Sequence, residues 1–137
     1  MKPLWCVLAV AVAVSSSALA ASGWNKEAEI KNIAHNMLAS DTAVACHLRT
    51  SDWRKNALFG HFVTVRMALL GENPDDDDDE VSAKAAEMFR AAKIEAALHV
   101  EFGAPTQAQC DELNKSHDMK ELDSAAQIGM MAGAVNQ

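Results

Sequence analysis

The sequence predicts an all-α fold: a small four- or five-helix bundle with one disulfide, preceded by a cleaved signal peptide. Three observations predict it. The stretch Trp53–Leu70 has 11 apolar residues in 18, too long and too poorly alternating for one strand. As a helix it is apolar round most of its circumference and calls for other helices to wrap it. Residues 81–102 then repeat Val81, Ala85, Met88, Phe89, Ala92, Ala96 and His99 on one face, with Lys84, Glu87, Arg90 and Lys93 on or near the other. Of three cysteines, Cys46 and Cys110 remain once a leader is removed, an even pair that reads as a disulfide in an exported chain.

The leader is residues 1–20. Lys2 supplies the positive start, Leu4–Val14 is an unbroken apolar run, and Ala18-Leu19-Ala20 is an A-x-A cleavage tripeptide. The apolar run has eleven residues, whereas a bilayer crossing takes about 20. Cys6 lacks the small residues before it that lipid attachment needs. Cleavage is expected after Ala20, with Ala21 as the alternative, leaving residues 21–137 as a single helical domain. The chain carries 12 Lys and Arg against 19 Asp and Glu, a formal charge of −7 that becomes −8 when Lys2 leaves. That charge argues against nucleic acid or an anionic membrane as partner.

In the first mature segment, Ile30, Ile33, Ala34, Met37 and Leu38 step by three and four, and Val44, Ala45 and Leu48 continue the stripe. Ser40-Asp41 leaves two readings open, a break with a new cap or one long helix. Thr50-Ser51-Asp52 offers three capping residues before the central helix. So short a connection makes the two helices antiparallel neighbours. Gly60 inside the central helix costs about 1 kcal/mol against Ala and marks a close helix crossing. Val63-Thr64-Val65 is the one β-branched cluster and the best argument for a strand. Residues 71–80, GENPDDDDDE, form the acidic loop. Part of that charge has a structural reason, because it stands where the next helix begins. Gly103 and Ala104-Pro105 stop that helix, and Thr106 to Gln109 matches a capping box. The helix opened there carries Cys110 and Leu113 inward, and Ser116-His117-Asp118 can interrupt it. Met119, Leu122, Ala126 and Met130 give a last stripe before Gly133. Pairing Cys46 with Cys110 brings the end of the first helix to the start of the fourth and contributes about 4 kcal/mol by the chain-entropy argument.

Chemistry is sparse. Asp75, Asp76, Asp77, Asp78 and Asp79 invite a calcium reading, but counting from Asp75 puts Glu80 sixth and Ala86 twelfth, where an EF-hand needs Gly and Glu. The run is then a solvated loop or a contact surface for a basic partner. The five histidines form no HExxH, and Cys46-His47 project about 100° apart on a helix, so no metal is assigned. His61 and His99 are expected to be hydrogen-bonded in or beside the core. No CxxC, GxSxG elbow, P-loop or dinucleotide fingerprint occurs. No cofactor and no catalytic residue is therefore expected. Ile128, Met130, Met131 and Val135 make an apolar end, either core or a surface for a helix or a second copy of the chain. In class alone the chain is similar to exported helical domains such as periplasmic acid-stress chaperones and helical immunity proteins, with no motif that carries a functional residue across. The functional expectation is a periplasmic or secreted, non-enzymatic module that binds another protein, inhibitory or chaperone-like. The alternative is a small-ligand or metal carrier using a bundle cavity with His61 or His99.

Overall fold

The computed structural model describes residues 24–101 and 103–135; the signal-peptide reading over 1–20 lies outside them. Among the described residues there are five helices and no strand: α1 (Lys26–Ala45), α2 (Ser51–Glu72), α3 (Asp78–Leu98), α4 (Gln107–Lys115) and α5 (His117–Val135). Val63-Thr64-Val65 lies inside α2, where packing of the surrounding apolar residues overrides its β preference.

Every helix begins where a side chain accepts a free N–H of its first turn. Asn25 accepts from Ala28 at 3.1 Å, Thr50 from Trp53 at 3.1 Å, Asp77 from Glu80 at 2.8 Å and Thr106 from Gln109 at 3.2 Å. Ser116 does the same for α5, its Oγ accepting from the Met119 N–H at 3.3 Å. The Thr106–Gln109 box closes in both directions, since Gln109 Oε1 also accepts from the Thr106 N–H at 2.8 Å. A second box joins Asp77 to Glu80. Ser40-Asp41 does not break α1. Ser40 is fully buried and satisfies its hydroxyl on the Met37 carbonyl at 2.9 Å, so the helix runs through. α1 ends in a Schellman turn, the Leu48 N–H reaching Ala43 O and the His47 N–H reaching Val44 O. His47 takes the left-handed position at φ 58°.

The segment 71–80 is less of a loop than its composition implied. α2 continues through Gly71 to Glu72 and α3 starts at Asp78, leaving 73–77 as the connection. At the far end α5 runs past Gly133 to Val135.

α1, α2 and α3 share the main core. Ile33, Val65, Leu69, Val81 and Met88 fill it, with Ala34, Ala85, Ala92 and Ala96 along its edge. Contacts between successive helices run in opposite directions. Trp24 N–H meets Glu72 Oε1 at one end of α1–α2, and Asp41 meets Arg54 at the other. α5 packs on a different side of α2 through a smaller core of Ala57, Leu122 and Ala126. There the helices approach almost backbone to backbone. A Cβ on Gly60 would lie 1.7 Å from Ala125 O, and one on Gly129 would lie 2.0 Å from Asn56 O. The crossing expected at Gly60 is present, and Gly129 is its unforeseen counterpart. α2 is not wrapped on all sides: Phe59, Leu70 and Met67 stay exposed, Met67 at 70%.

The disulfide Cys46–Cys110 ties the end of α1 to α4, with Cα atoms 5.6 Å apart at a sequence separation of 64. Next to it, Arg49 holds Asp123 of α5 through Nε at 3.0 Å and Nη2 at 2.8 Å, and the Trp53 indole N–H adds a third bond at 2.7 Å. These bonds hold the Asp123 carboxyl below its ordinary range, the Arg49 bond first, and Asp123 in turn raises the Arg49 guanidinium.

Candidate functional site: an apolar groove with a basic mouth

The buried stripe of α3 thins along its length. Val81 and Met88, with Ala85 between them, fill the core from the start of the helix to its middle, whereas only Ala92 and Ala96 are buried beyond it. A methyl group reaches less far than a Met side chain, so α3 does not close on α1 and α2 there. What remains is a groove of about 640 Å³ between the three helices. Met37 and Leu38 line it from α1, Leu58 and Phe62 from α2, and Ala86, Phe89, Ala97 and Val100 from α3 and the residues after it. Phe62 and Phe89 meet edge to face, ring centres 5.4 Å apart, and fix part of the wall.

Three cations stand at this groove, Arg54, Arg90 and Lys93, against one acid, Asp41. Asp41 forms an ion pair with Arg54. The Arg54 Nε makes no well-aligned hydrogen bond among the described residues, so that contact is one of charge rather than a directed bond. Arg90 and Lys93 are exposed and appear in none of the ion pairs among the described residues. Arg90 continues along α3 into Ile94 and Leu98 at successive i+4 steps. Those two apolar side chains are 69% and 74% exposed. The apolar surface therefore extends beyond the groove across the outer face of α3.

Behind the groove wall lies a polar cluster. His61 is buried, its Nε2 donating to Glu29 Oε1 at 2.7 Å and its Nδ1 accepting from the Asn36 amide at 3.1 Å in the one tautomer that satisfies both. Its ring meets the groove residue Phe89 edge on, centres 5.9 Å apart. Hydrogen bonding from His61 holds the Glu29 carboxyl below its ordinary range, against the opposing effect of burial. Both ring nitrogens are thus engaged within the protein, and the cluster links α1 to α2; on its far side Asn36 and His61 border a smaller pocket of about 330 Å³ shared with α5.

The other sequence-selected residues fall elsewhere. Asp77 caps α3, Asp76 takes the Lys84 ammonium, and Asp78 and Asp79 occupy the first helical turn, where negative charge favours the helix N-terminus. Asp78 also faces Arg66 at 3.9 Å. The acidic run is thus largely engaged in starting a helix. His99 is not beside the core: it lies past the end of α3, exposed, 3.2 Å from Glu95. Among the described residues no group of three His, Cys, Asp or Glu side chains is placed to share a metal ion. No described helix is long and apolar enough to cross a membrane. Sequence reasoning missed the groove, because its lining reads as core in every helix taken singly. Comparison with protein-family models, curated proteins and solved structures finds no match.

Proposed function

We propose that this chain is an exported, non-enzymatic binding module of the cell envelope, periplasmic or secreted, that holds an apolar segment of another protein in the α1–α2–α3 groove. The observation that carries the reading is the groove itself, open, walled by Met, Leu, Phe and Val side chains, with exposed Ile94 and Leu98 following its rim residue Arg90 along α3. Exposed apolar surface of this kind marks interaction sites. An amphipathic helix lying in an apolar groove is a recurrent way to fill one. Met37 gives the wall an adaptable member. Export is supported by the leader-like start of the sequence, and the Cys46–Cys110 bond suits an oxidising compartment. The non-enzymatic reading is supported by a site whose one acid is paired and whose neighbouring histidine is fully engaged.

The groove volume also falls in the range of small-ligand sites. That keeps a carrier of small apolar ligands as the second reading. Such sites enclose most of their ligand, however, and this one opens onto a wider apolar face. A contact through the acidic run would use Asp75 and Asp79, the two aspartates that make no side-chain bond or ion pair among the described residues.

The test is a titration with a synthetic amphipathic helical peptide against three proteins. Ala97→Trp fills the groove from an exposed position and is expected to weaken binding about tenfold or more relative to the original chain. Asp75→Ser with Asp79→Ser is expected to leave it unchanged. Equal binding by the Ala97→Trp protein would remove the groove as the contact.

A further inference from the structure

We infer that the partner segment seated in this groove is an amphipathic helix whose apolar stripe is flanked by acidic residues. This rests on the groove reading above and adds the chemistry of the occupant. The chain as a whole is acidic, with 19 Asp and Glu against 12 Lys and Arg. Yet three of those twelve bases stand around one apolar groove with a single acid among them. That acid, Asp41, is already matched by Arg54. Arg90 and Lys93 are then surplus positive charge, exposed on α3 and free of ion pairs among the described residues. They lie three residues apart, on one side of the helix. A helix pressed onto Leu58, Phe62 and Phe89 would bring the residues beside its apolar stripe against these two cations. Carboxylates there would be steered in and held. Lysines would meet like charge in a partly desolvated setting, which costs affinity. The mature chain's negative field elsewhere would make a strongly acidic partner approach poorly on other faces, so the basic mouth also sets where it docks.

The fit is better for a helix than for a single acyl chain. Two cations rather than one stand at the rim, and apolar Ile94 and Leu98 continue past Arg90 outside the groove, where one chain would leave them uncovered.

Two synthetic peptides of about 18 residues, roughly five helical turns, decide it. Both carry Leu at i, i+3, i+4 and i+7; one has Glu beside the stripe and the other has Lys at the same positions. Each is titrated by fluorescence anisotropy into the oxidised protein at about 50 mM salt and again at about 500 mM, where exposed charges are screened. The Glu peptide is expected to bind about tenfold tighter at low salt, with the ratio falling towards one at high salt. Arg90→Glu with Lys93→Glu, both at exposed positions, is expected to reverse the preference while the circular dichroism spectrum stays unchanged. Equal binding of the two peptides leaves the groove reading in place and overturns the acidic partner. Binding of neither overturns both. Saturable oleate binding with no binding of either peptide overturns both in favour of a small anionic amphiphile.

Discussion

The two sides of α2 are built on opposite principles. Against α5 it presents Gly60 and receives Gly129, and the backbones close until each glycine sits on the other helix's carbonyl. Against α1 and α3 it presents Val65, Leu69 and Phe62, and side chains keep the helices apart. Bulk at the core end of α3 and methyl groups at the other leave the groove. At the two glycines the seam leaves no room for a ligand, and beside it a smaller pocket of about 330 Å³ opens between His61, Thr64, Ser124 and Ile128. The side-chain-packed side holds the larger of these two spaces, about 640 Å³, so the binding surface follows from where the sequence places large and small residues.

The contrast can be broken most sharply by adding a methyl group at the seam. Gly129→Ala and Gly60→Ala each place a Cβ where a backbone carbonyl already stands, and neither helix can yield locally. We expect a loss of about 3 kcal/mol for each, read as a shift in the urea midpoint. A loss below about 0.5 kcal/mol would mean that the two helices can separate freely. Removing a methyl from the other side should cost less: Ile33→Val, at a fully buried position, is expected to lose about 1 kcal/mol. If the core change proved the costlier of the two, the seam would not be the tighter contact.

Acid should act on both sides of α2 through different carboxylates. Glu29 of α1 and Asp123 of α5 are both held below their ordinary range by hydrogen bonds from His61 and from Arg49. A depressed carboxylate contributes stability that is present above its unfolded pKa and is lost as pH falls through its folded one. Melting temperature should therefore drop in the acidic range below ordinary carboxylate values. Glu29→Gln and Asp123→Asn should each lower it near neutrality and flatten the acid limb. Asp123 is the more exposed of the two, so solvent screening makes its effect the smaller. An unaltered acid limb in both variants would contradict the assignment.

The smallest effect expected is a gain. His47 occupies a left-handed turn with no steric benefit from its side chain, so His47→Gly should stabilise by up to about 1 kcal/mol. It lies apart from both α2 interfaces, and its effect should add to any of the others.

Much of the fold was legible because its signals are local. The Thr106–Gln109 box, the α3 stripe and the Cys46–Cys110 pair each declare themselves within one segment or by simple parity. Gly60 was legible as an interruption in a helix, but Gly129 was not, since a glycine near a chain end reads equally well as fraying. Ser40-Asp41 left a break and a continuous helix equally open, because the partner that satisfies the Ser40 hydroxyl is a carbonyl of its own helix. His47 in a left-handed turn carries no signal that separates it from any histidine. The groove was illegible for a different reason. Met37, Leu58 and Phe89 are half-buried, and a half-buried apolar residue has the same periodicity as a core one. Only the relative placement of three helices shows that something is missing between them. His99 was misplaced for the same reason, sharing the α3 spacing but lying just past the end of its packed part.

The central claim is that the groove, and neither the acidic run nor the apolar end of α5, takes the partner. The methionine methyl groups report on all of these surfaces at once: Met37 lines the groove, Met88 and Met119 are buried, Met67 is exposed on α2, and Met130 and Met131 are exposed on α5. With the methyls labelled with carbon-13, the Glu-flanked peptide is titrated in and the shifts are followed by NMR. The Met37 signal should move and saturate, with Met67, Met130 and Met131 unmoved. Movement of Met130 and Met131 with Met37 still would contradict the account and place the contact on α5.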